Sequence, residues 1–225
     1  GLAPDKEWKS RVRDEEWRIG DTVNASIGQG YVLTSPLQLA VMTARIATGR
    51  EVTPRLIRLI DGVTQPSGLG ESLGINENTL RRVRASMNDV CNHRRGTAYR
   101  SRIIDDAHKM AGKTGTSQVR RITPEERAAG VTRNEDLPWE RRDHALFVGF
   151  APYDNPRYAV SVVVEHGGGG SAAAAPIARD ILLQAQYGGP PPLEAYPADV
   201  RDRIAEQQSR IEARIPPGAK GRSRV

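Results

Sequence analysis

The sequence predicts an α/β fold in which an antiparallel sheet is flanked by helices. Two apolar runs, 145–151 and 158–165, are joined by a Pro-Tyr-Asp-Asn-Pro turn at 152–156, which is a strong hairpin signal. A strand-like segment of small residues, 110–119, precedes them, and helical apolar spacing follows at 172–187. Because tight connections favour antiparallel pairing, the three strands should form one sheet with the last helix packed on it.

The first sixty residues are predicted to contain one helix and one strand. Residues 1–10 show no helix start, and Ile-Gly-Asp-Thr at 19–22 is typical of a turn. Pro36 opens a helix, since proline is favoured in the first turn, and Gly49 ends it. The apolar run 54–60 is predicted to be a strand.

The segments around the sheet have their own signals. Residues 61–74 are expected to be turn and loop, and Asn76 is expected to cap a helix from about Glu77 to Asn92. Residues 120–143 are rich in arginine and acidic residues, which indicates a solvated insertion rather than core. Gly167–Gly170 is expected to act as a mobile hinge.

The chain is expected to divide into one domain and a tail. Its 225 residues suit a single domain with an extension. The predicted domain is the C-terminal portion of a larger one and covers 1–187, and the predicted tail, flexible, charged and rich in Pro and Gly, covers 188–225. Three prolines at 190–192 cannot donate backbone hydrogen bonds, and the polar helix candidate 198–214 lacks a full apolar stripe. Residues 190–225 are therefore expected to make few core contacts. Since the first residue is Gly, we expect the chain to be the C-terminal piece of something longer.

Composition excludes several classes of protein. The net charge of +6 comes from 33 basic and 27 acidic residues, but aromatic residues are only 5% and scattered, so nucleic-acid binding is not indicated. Apolar runs are too short to span a membrane. The one cysteine, Cys91, excludes an intrachain disulfide and cannot by itself form a zinc cage.

Several short motifs lack residues that the binding sites they suggest would require. Gly112-Lys113-Thr114 lacks the upstream glycine of a phosphate loop, since Ala107 stands there, and no helix follows it. Gly28-Gln29-Gly30 lacks the third glycine of a dinucleotide site. Cys91-Asn92-His93 has no second ligand pair, so a buried thiol at a helix end is expected. The single histidines His108, His144 and His166 are expected to be surface or packing residues.

The segment Lys113-Thr114-Gly115-Thr116 combines residues that suit an extended peptide ending in a carboxylate. It offers a cation, two hydroxyl groups and a position without a side chain on one strand. Gly115 would let a substrate backbone approach closely, and a strand edge would pair with its main chain. The alternative is an ordinary edge strand, because the tripeptide alone is a weak signal.

Six short sequence blocks follow one another along the chain: WRIGDT (17–22), SIGQGY (26–31), SPLQLA (35–40), RGTA (95–98), GKTGTSQV (112–119) and DHALFVGFAP (143–152). Together they resemble the last part of the transpeptidase domain of the class B, elongation-specific penicillin-binding proteins, the penicillin-binding protein 2 family. The resemblance covers about residues 1–187. It implies a partial domain of the serine β-lactamase/transpeptidase-like fold.

The resemblance also implies a chemistry. In this family a serine forms an acyl-enzyme with the penultimate D-Ala carbonyl of a peptidoglycan stem peptide and passes it to a neighbouring amine. Lys113 would supply positive potential, and Thr114, Gly115 and Thr116 would bind the substrate carboxylate and backbone. The Thr116 backbone N–H would be one oxyanion donor. The loop 28–30 would either support the site floor or simply lead into the next helix.

Two of the family's three site motifs are missing from this sequence. No Ser is followed three residues later by Lys, so the chain has no candidate nucleophile. Ser86-Met87-Asn88 matches Ser-x-Asn only in spelling, because it lies within the 77–92 helix. We therefore expect both motifs upstream of Gly1 and an inactive fragment. A serine β-lactamase or D,D-carboxypeptidase of the same fold, and a non-catalytic binding module, are the alternatives.

The resemblance further implies partners and a location. The partners would be stem peptides, the lipid-linked precursor, β-lactams, a SEDS-family glycosyltransferase and rod-complex scaffold proteins. The location would be the periplasmic face of the bacterial inner membrane. No cofactor and no metal are implied.

Overall fold

The computed structural model describes residues 1–65, 68–120 and 122–214. Seven α-helices and five strands lie in this part of the chain. The helices are α1 (Lys6–Arg13), α2 (Ile19–Ser26), α3 (Pro36–Thr48), α4 (Glu77–Asn92), α5 (Pro124–Ala129), α6 (Ala174–Tyr187) and α7 (Arg201–Arg214). The strands are β1 (Leu59–Ile60), β2 (Val63–Thr64), β3 (Ala111–Ser117), β4 (His144–Ala151) and β5 (Tyr158–Val164).

The central sheet has the strand order β3-β4-β5, and both pairs are antiparallel. Opposite residues include Thr114 and Phe147 in the first pair, and Phe147 and Val162 in the second. The predicted strands and their pairing are confirmed. The continuous apolar run of β4 explains this, because it supplies buried side chains to both faces of the sheet.

Helices cover both faces of the sheet. Phe147 faces one side and packs with α6 residues in the larger core cluster, which also holds Cys91 at the end of α4. Phe150 faces the other side and packs with Ala47 of α3 and Met87 of α4. The helix-flanked antiparallel fold predicted from the sequence is therefore confirmed. The predicted helices at 77–92 and 172–187 form with nearly the expected bounds.

The prediction of no helix in residues 1–10 and of a turn at 19–22 is wrong. The Asp5 carboxylate caps α1 by accepting from the Trp8 backbone N–H at 2.7 Å. The Asp21 carboxylate accepts from the Arg18 backbone N–H, also at 2.7 Å, at the start of α2. Polar side chains that accept hydrogen bonds at the helix starts therefore specify these two helices, rather than a helical repeat of apolar residues.

The predicted strand at 54–60 is wrong over most of its length. Only Leu59 and Ile60 are paired, in a two-residue hairpin with Val63 and Thr64. The apolar residues of this segment are exposed, so no core contact extends the pairing. The expected loop at 61–74 thus contains β2, and its residues 66–67 lie outside the described part.

The prediction that 190–225 makes few core contacts is wrong for 195–204. Ala195, Tyr196 and Ile204 are buried in the larger cluster, and the Ile104 backbone N–H donates to the Ala195 carbonyl at 2.9 Å. Tight turns at Leu193–Ala195 and Ala198–Val200 bring these few apolar side chains inward without a full helical stripe. Residues 215–225 lie outside the described part, and the boundary at 187 stays a prediction.

The solvated insertion is confirmed for residue 120 and for 122–143, where no residue is buried; residue 121 is not described. It contains α5 and two short 3₁₀ turns. Across the described ranges, no helix combines the length and apolar character needed to cross a membrane.

Candidate active-site strand

β3 places the Lys113–Thr116 segment at the edge of the central sheet. In the described part of the chain β3 pairs with β4 alone, so no strand covers its other edge, which is called the free edge below. Lys113 and Thr116 are exposed, whereas Thr114 and Gly115 are half-buried. The prediction of a strand edge for this segment is confirmed.

Two side-chain contacts show which backbone groups of β3 face its free edge. Lys113 Nζ donates to the Thr114 carbonyl at 2.6 Å, and Gln29 Nε2 donates to the Thr116 carbonyl at 3.1 Å. Both carbonyls therefore face away from β4. In an antiparallel strand the N–H and C=O of one residue face the same edge. The backbone N–H of Thr116 consequently faces the free edge too.

The side chains of this segment divide between the two faces of the sheet. Thr114 and Thr116 lie opposite Phe147 and Ala145, on the α6 side, while Lys113 lies opposite Val148 on the other side. The cation and the two hydroxyl groups therefore lie on opposite faces of the same edge strand.

Thr97 touches this strand, and sequence analysis gave it no individual role. Its hydroxyl oxygen lies 2.9 Å from the Thr114 hydroxyl oxygen, within hydrogen-bond distance. The chain folds back at Gly96, where a Cβ would collide with the Asp89 and Val90 carbonyls, so only glycine fits. The one available signal was the position of Thr97 within the RGTA block.

The loop 28–30 supports the edge rather than merely leading into α3. The Gln29 backbone N–H donates to the Asn24 carbonyl at 2.9 Å, which fixes the loop on α2. From there the Gln29 side chain reaches Thr116, as described above. Of the two alternatives for this loop, the contact with the site strand is the one observed.

Gly170 holds the predicted hinge segment against β3. A Cβ there would lie 2.5 Å from the Gly115 carbonyl oxygen and 3.0 Å from the Gly115 nitrogen. The Gly168 backbone N–H also donates to the Asp143 carbonyl at 2.8 Å. The segment between β5 and α6 is thereby packed on the backbone of the site strand.

Ser86 and Cys91 occupy the positions expected for residues without a role in this site. Ser86 lies on the exposed side of α4, and Cys91 is fully buried near the end of the same helix. Burial raises the pKa of the Cys91 thiol to about 12, so it is not a thiolate at neutral pH.

The histidines are less isolated than predicted. The His144 and His166 rings lie 4.6 Å apart, and the His166 backbone N–H donates to His144 Nδ1 at 2.9 Å. His108 lies 2.7 Å from Asp105, whose pKa is lowered by hydrogen bonds from Tyr187 first and His108 next. These ring contacts and hydrogen bonds hold the three histidines against their neighbours. Over the ranges that the structure covers, no three His, Cys, Asp or Glu side chains are grouped to hold a metal.

The arrangement can bind an extended chain that ends in an anion. A peptide could pair with the free edge of β3, and the outward N–H of Thr116 could donate to a carbonyl oxygen. The Lys113 ammonium, the exposed Thr116 hydroxyl and the Gln29 side-chain amide lie beside that edge. Ser117 of this strand lies opposite His144 of β4, whose Nδ1 accepts from the His166 backbone N–H instead.

A family model described as "Penicillin binding protein transpeptidase domain" matches residues 4–183. The chain is 40% identical over 175 residues to "Peptidoglycan D,D-transpeptidase MrdA" of Acinetobacter baumannii, covering 74% of this chain and 25% of that protein. It is 33% identical over 221 residues to the Haemophilus influenzae protein of the same name, covering 94% and 33%.

A solved complex between penicillin-binding protein 2 and MreC from Helicobacter pylori has a similar structure. The TM-score is 0.65 at 35% identity, and the match covers 83% of this chain and 31% of that chain. The chain thus spans between a quarter and a third of the length of these curated relatives.

Proposed function

The chain belongs to the penicillin-binding protein transpeptidase family, and on this premise we propose that β3 is one wall of a peptidoglycan D,D-transpeptidase site. The observation that carries the proposal is the edge of β3 that no strand covers, where the Lys113 ammonium reaches the Thr114 carbonyl and the Thr116 carbonyl and N–H face outward. The relatives named MrdA support the reaction class, which is acyl transfer between stem peptides during cell-wall elongation.

Each residue of the segment has a role in this proposal. Lys113 supplies positive potential near the terminal carboxylate of the stem peptide or of a β-lactam. The hydroxyl groups of Thr114 and Thr116 bind that carboxylate, and Gly115 allows the substrate backbone to approach. The Thr116 N–H donates to the oxyanion that forms when the D-Ala carbonyl is attacked. The hydrogen bond to Thr97 additionally holds the Thr114 hydroxyl.

The nucleophile belongs to another part of the catalytic machinery. Because the 225 residues contain no Ser-x-x-Lys, the acyl-serine forms on a residue outside them. The same holds for the Ser-x-Asn motif, since Ser86 lies on the exposed side of α4. This chain alone is therefore inactive, and a labelled penicillin should not attach to it covalently. Stable stoichiometric labelling of any residue here would contradict this.

The whole protein acts at the periplasmic face of the inner membrane on stem peptides and their lipid-linked precursor. A scaffold partner is supported by the Helicobacter pylori penicillin-binding protein 2, whose structure was solved with MreC. A SEDS-family glycosyltransferase is the second proposed partner, and β-lactams are the expected inhibitors.

The test is acylation by a labelled penicillin in a protein that carries these residues together with the family's serine. Hydrogen bonds to charged groups contribute about 1.5–3 kcal/mol, so Lys113→Ala should lower acylation efficiency roughly tenfold to a hundredfold. Thr116→Val keeps the backbone donor but deletes the hydroxyl, so it should weaken β-lactams that bear a carboxylate.

Arg82→Gln is the matched control, because it also removes one exposed cation, from α4 rather than from β3. It should acylate at the parental rate. If Lys113→Ala does the same while folded, the strand is structural and the proposed site is wrong.

A further inference from the structure

A cavity lies between the segment after α4, the start of α6 and the start of α7, and the proposed transpeptidase chemistry does not use it. It has a volume of about 560 Å³, within the range of small-molecule sites. Its wall includes Gly96 and Thr97, so it reaches the residue that is hydrogen-bonded to Thr114. The other walls come from the start of α6 and from the segment that runs into α7.

The walls of this cavity are strongly basic. Arg94 and Arg100 come from the segment after α4, Arg179 from α6, and Arg203 from α7. Asp199 is the acidic residue among them. Four arginines from three separate elements therefore surround a space that an anionic group can enter, and the guanidinium fork matches a carboxylate.

Arg179 adds a buried cation to the same wall. It is only 1% exposed, and its guanidinium carbon lies 5.0 Å from the ring centroid of Tyr196. Nε donates to Asp180 at 2.8 Å, but the buried Nη2 has no hydrogen-bond partner among the described residues. A buried, unpaired guanidinium nitrogen costs free energy, and such groups in folded proteins require an explanation.

We propose that this cavity is a binding site for an acidic peptide segment that carries two or more carboxylates. The separation of the arginines over three elements favours several anionic groups over one compact ion. The site is distinct from the free edge of β3 and meets it through Thr97.

The test is fluorescence anisotropy of the 225-residue chain with a labelled tetraglutamate peptide. Saturable one-to-one binding is expected, and a tetraglutamine peptide should not bind. The double variant Arg100→Gln/Arg203→Gln removes two exposed cations from the cavity and should weaken binding at least tenfold. Both side chains are exposed, so the fold should be kept, whereas Arg179 is too buried for a safe first variant.

The matched control is Arg82→Gln/Arg210→Gln, which lowers the net charge equally at exposed positions outside the cavity walls. It should bind the peptide like the parent. If both double variants weaken binding equally, general charge attraction explains it and the site is refuted. Parental affinity in the cavity variant would also refute it.

Competition separates the two anion classes. Glutarate should displace the labelled peptide at lower concentration than inorganic phosphate does, and the reverse order would overturn the carboxylate assignment. Since penicillin acylation reports on β3 and the peptide titration reports on the cavity, failure of one proposal is distinguishable from failure of the other.

Discussion

Residues 1–42 and residues 77–204 of this chain bury very different side chains. The second region encloses Phe147, Phe150 and most of α6 in continuous apolar clusters. In the first region Ile19 is 85% exposed, and the buried side chain of α1 is the charged Lys9. The first region takes its shape from helix caps and ion pairs, whereas the second takes its stability from a core.

This contrast bears on how the candidate site is built. β3 belongs to the cored region, and its position is fixed by β4 and by the residues packed on the sheet. The loop that reaches its free edge, through Gln29, belongs to the region without a core of its own. One side of the site is therefore rigidly placed, and the other depends on polar contacts.

The largest effect is expected from Phe147→Ala, which removes a fully buried ring between the sheet and α6. Large-to-small changes of this kind cost about 3–5 kcal/mol in the free energy of unfolding. Urea denaturation measures it. A loss below about 1 kcal/mol would show that the cored region does not dominate stability.

The next largest effect is expected from Tyr196→Ala, about 2–4 kcal/mol, because this ring is 3% exposed and packs with Arg179. The measurement again is urea denaturation. The measured loss in the free energy of unfolding shows whether residues 188–214 belong to the cored region. A change within about 0.5 kcal/mol would restore the flexible tail predicted from the sequence.

A pH effect is expected in the first region. Lys9 Nζ lies 2.7 Å from Asp21, and this hydrogen bond, with that from the Arg18 backbone, holds the pKa of the Asp21 carboxyl below its usual 3.8. A lowered carboxyl pKa stabilises the fold above the unfolded pKa, and the gain is lost as the pH falls through the folded one.

Asp21→Asn should therefore destabilise the chain clearly at pH 6 and much less at pH 3. Urea denaturation of parent and variant at both values measures the difference. A difference that stays constant between the two pH values would show that the ion pair is not what holds α1 and α2 together.

The success of the sequence-based predictions follows the same division. The strands at 145–151 and 158–165 were predictable because their apolar runs fill the core. α1 and α2 were missed because a single carboxylate, Asp5 or Asp21, specifies each start. The fold of 193–204 was missed because two large anchors, Tyr196 and Ile204, replace a full apolar stripe.

The candidate site was predictable only in part. The edge strand and its four residues could be found, since the K-T-G tripeptide and the neighbouring blocks are local in sequence. The contacts of Thr97 and Gln29 could not, because they join positions 17 and 87 residues apart. The cavity arginines come from three elements, and nothing in their spacing brings them together.

The smallest effect is expected from Leu37→Ala, and Leu182→Ala is the same change in the cored region. Leu37 is 57% exposed near the start of α3, so truncation leaves no closed cavity. Alanine also has the higher helix propensity, which offsets part of the lost contact with neighbouring apolar groups. The free energy of unfolding should change by no more than about 0.5 kcal/mol.

Leu182 is fully buried against the sheet, and its truncation should cost about 2–5 kcal/mol. Urea denaturation of the two variants side by side measures both. Equal losses would mean that residues 1–42 have a hydrophobic core after all, and the division between the two regions would fail.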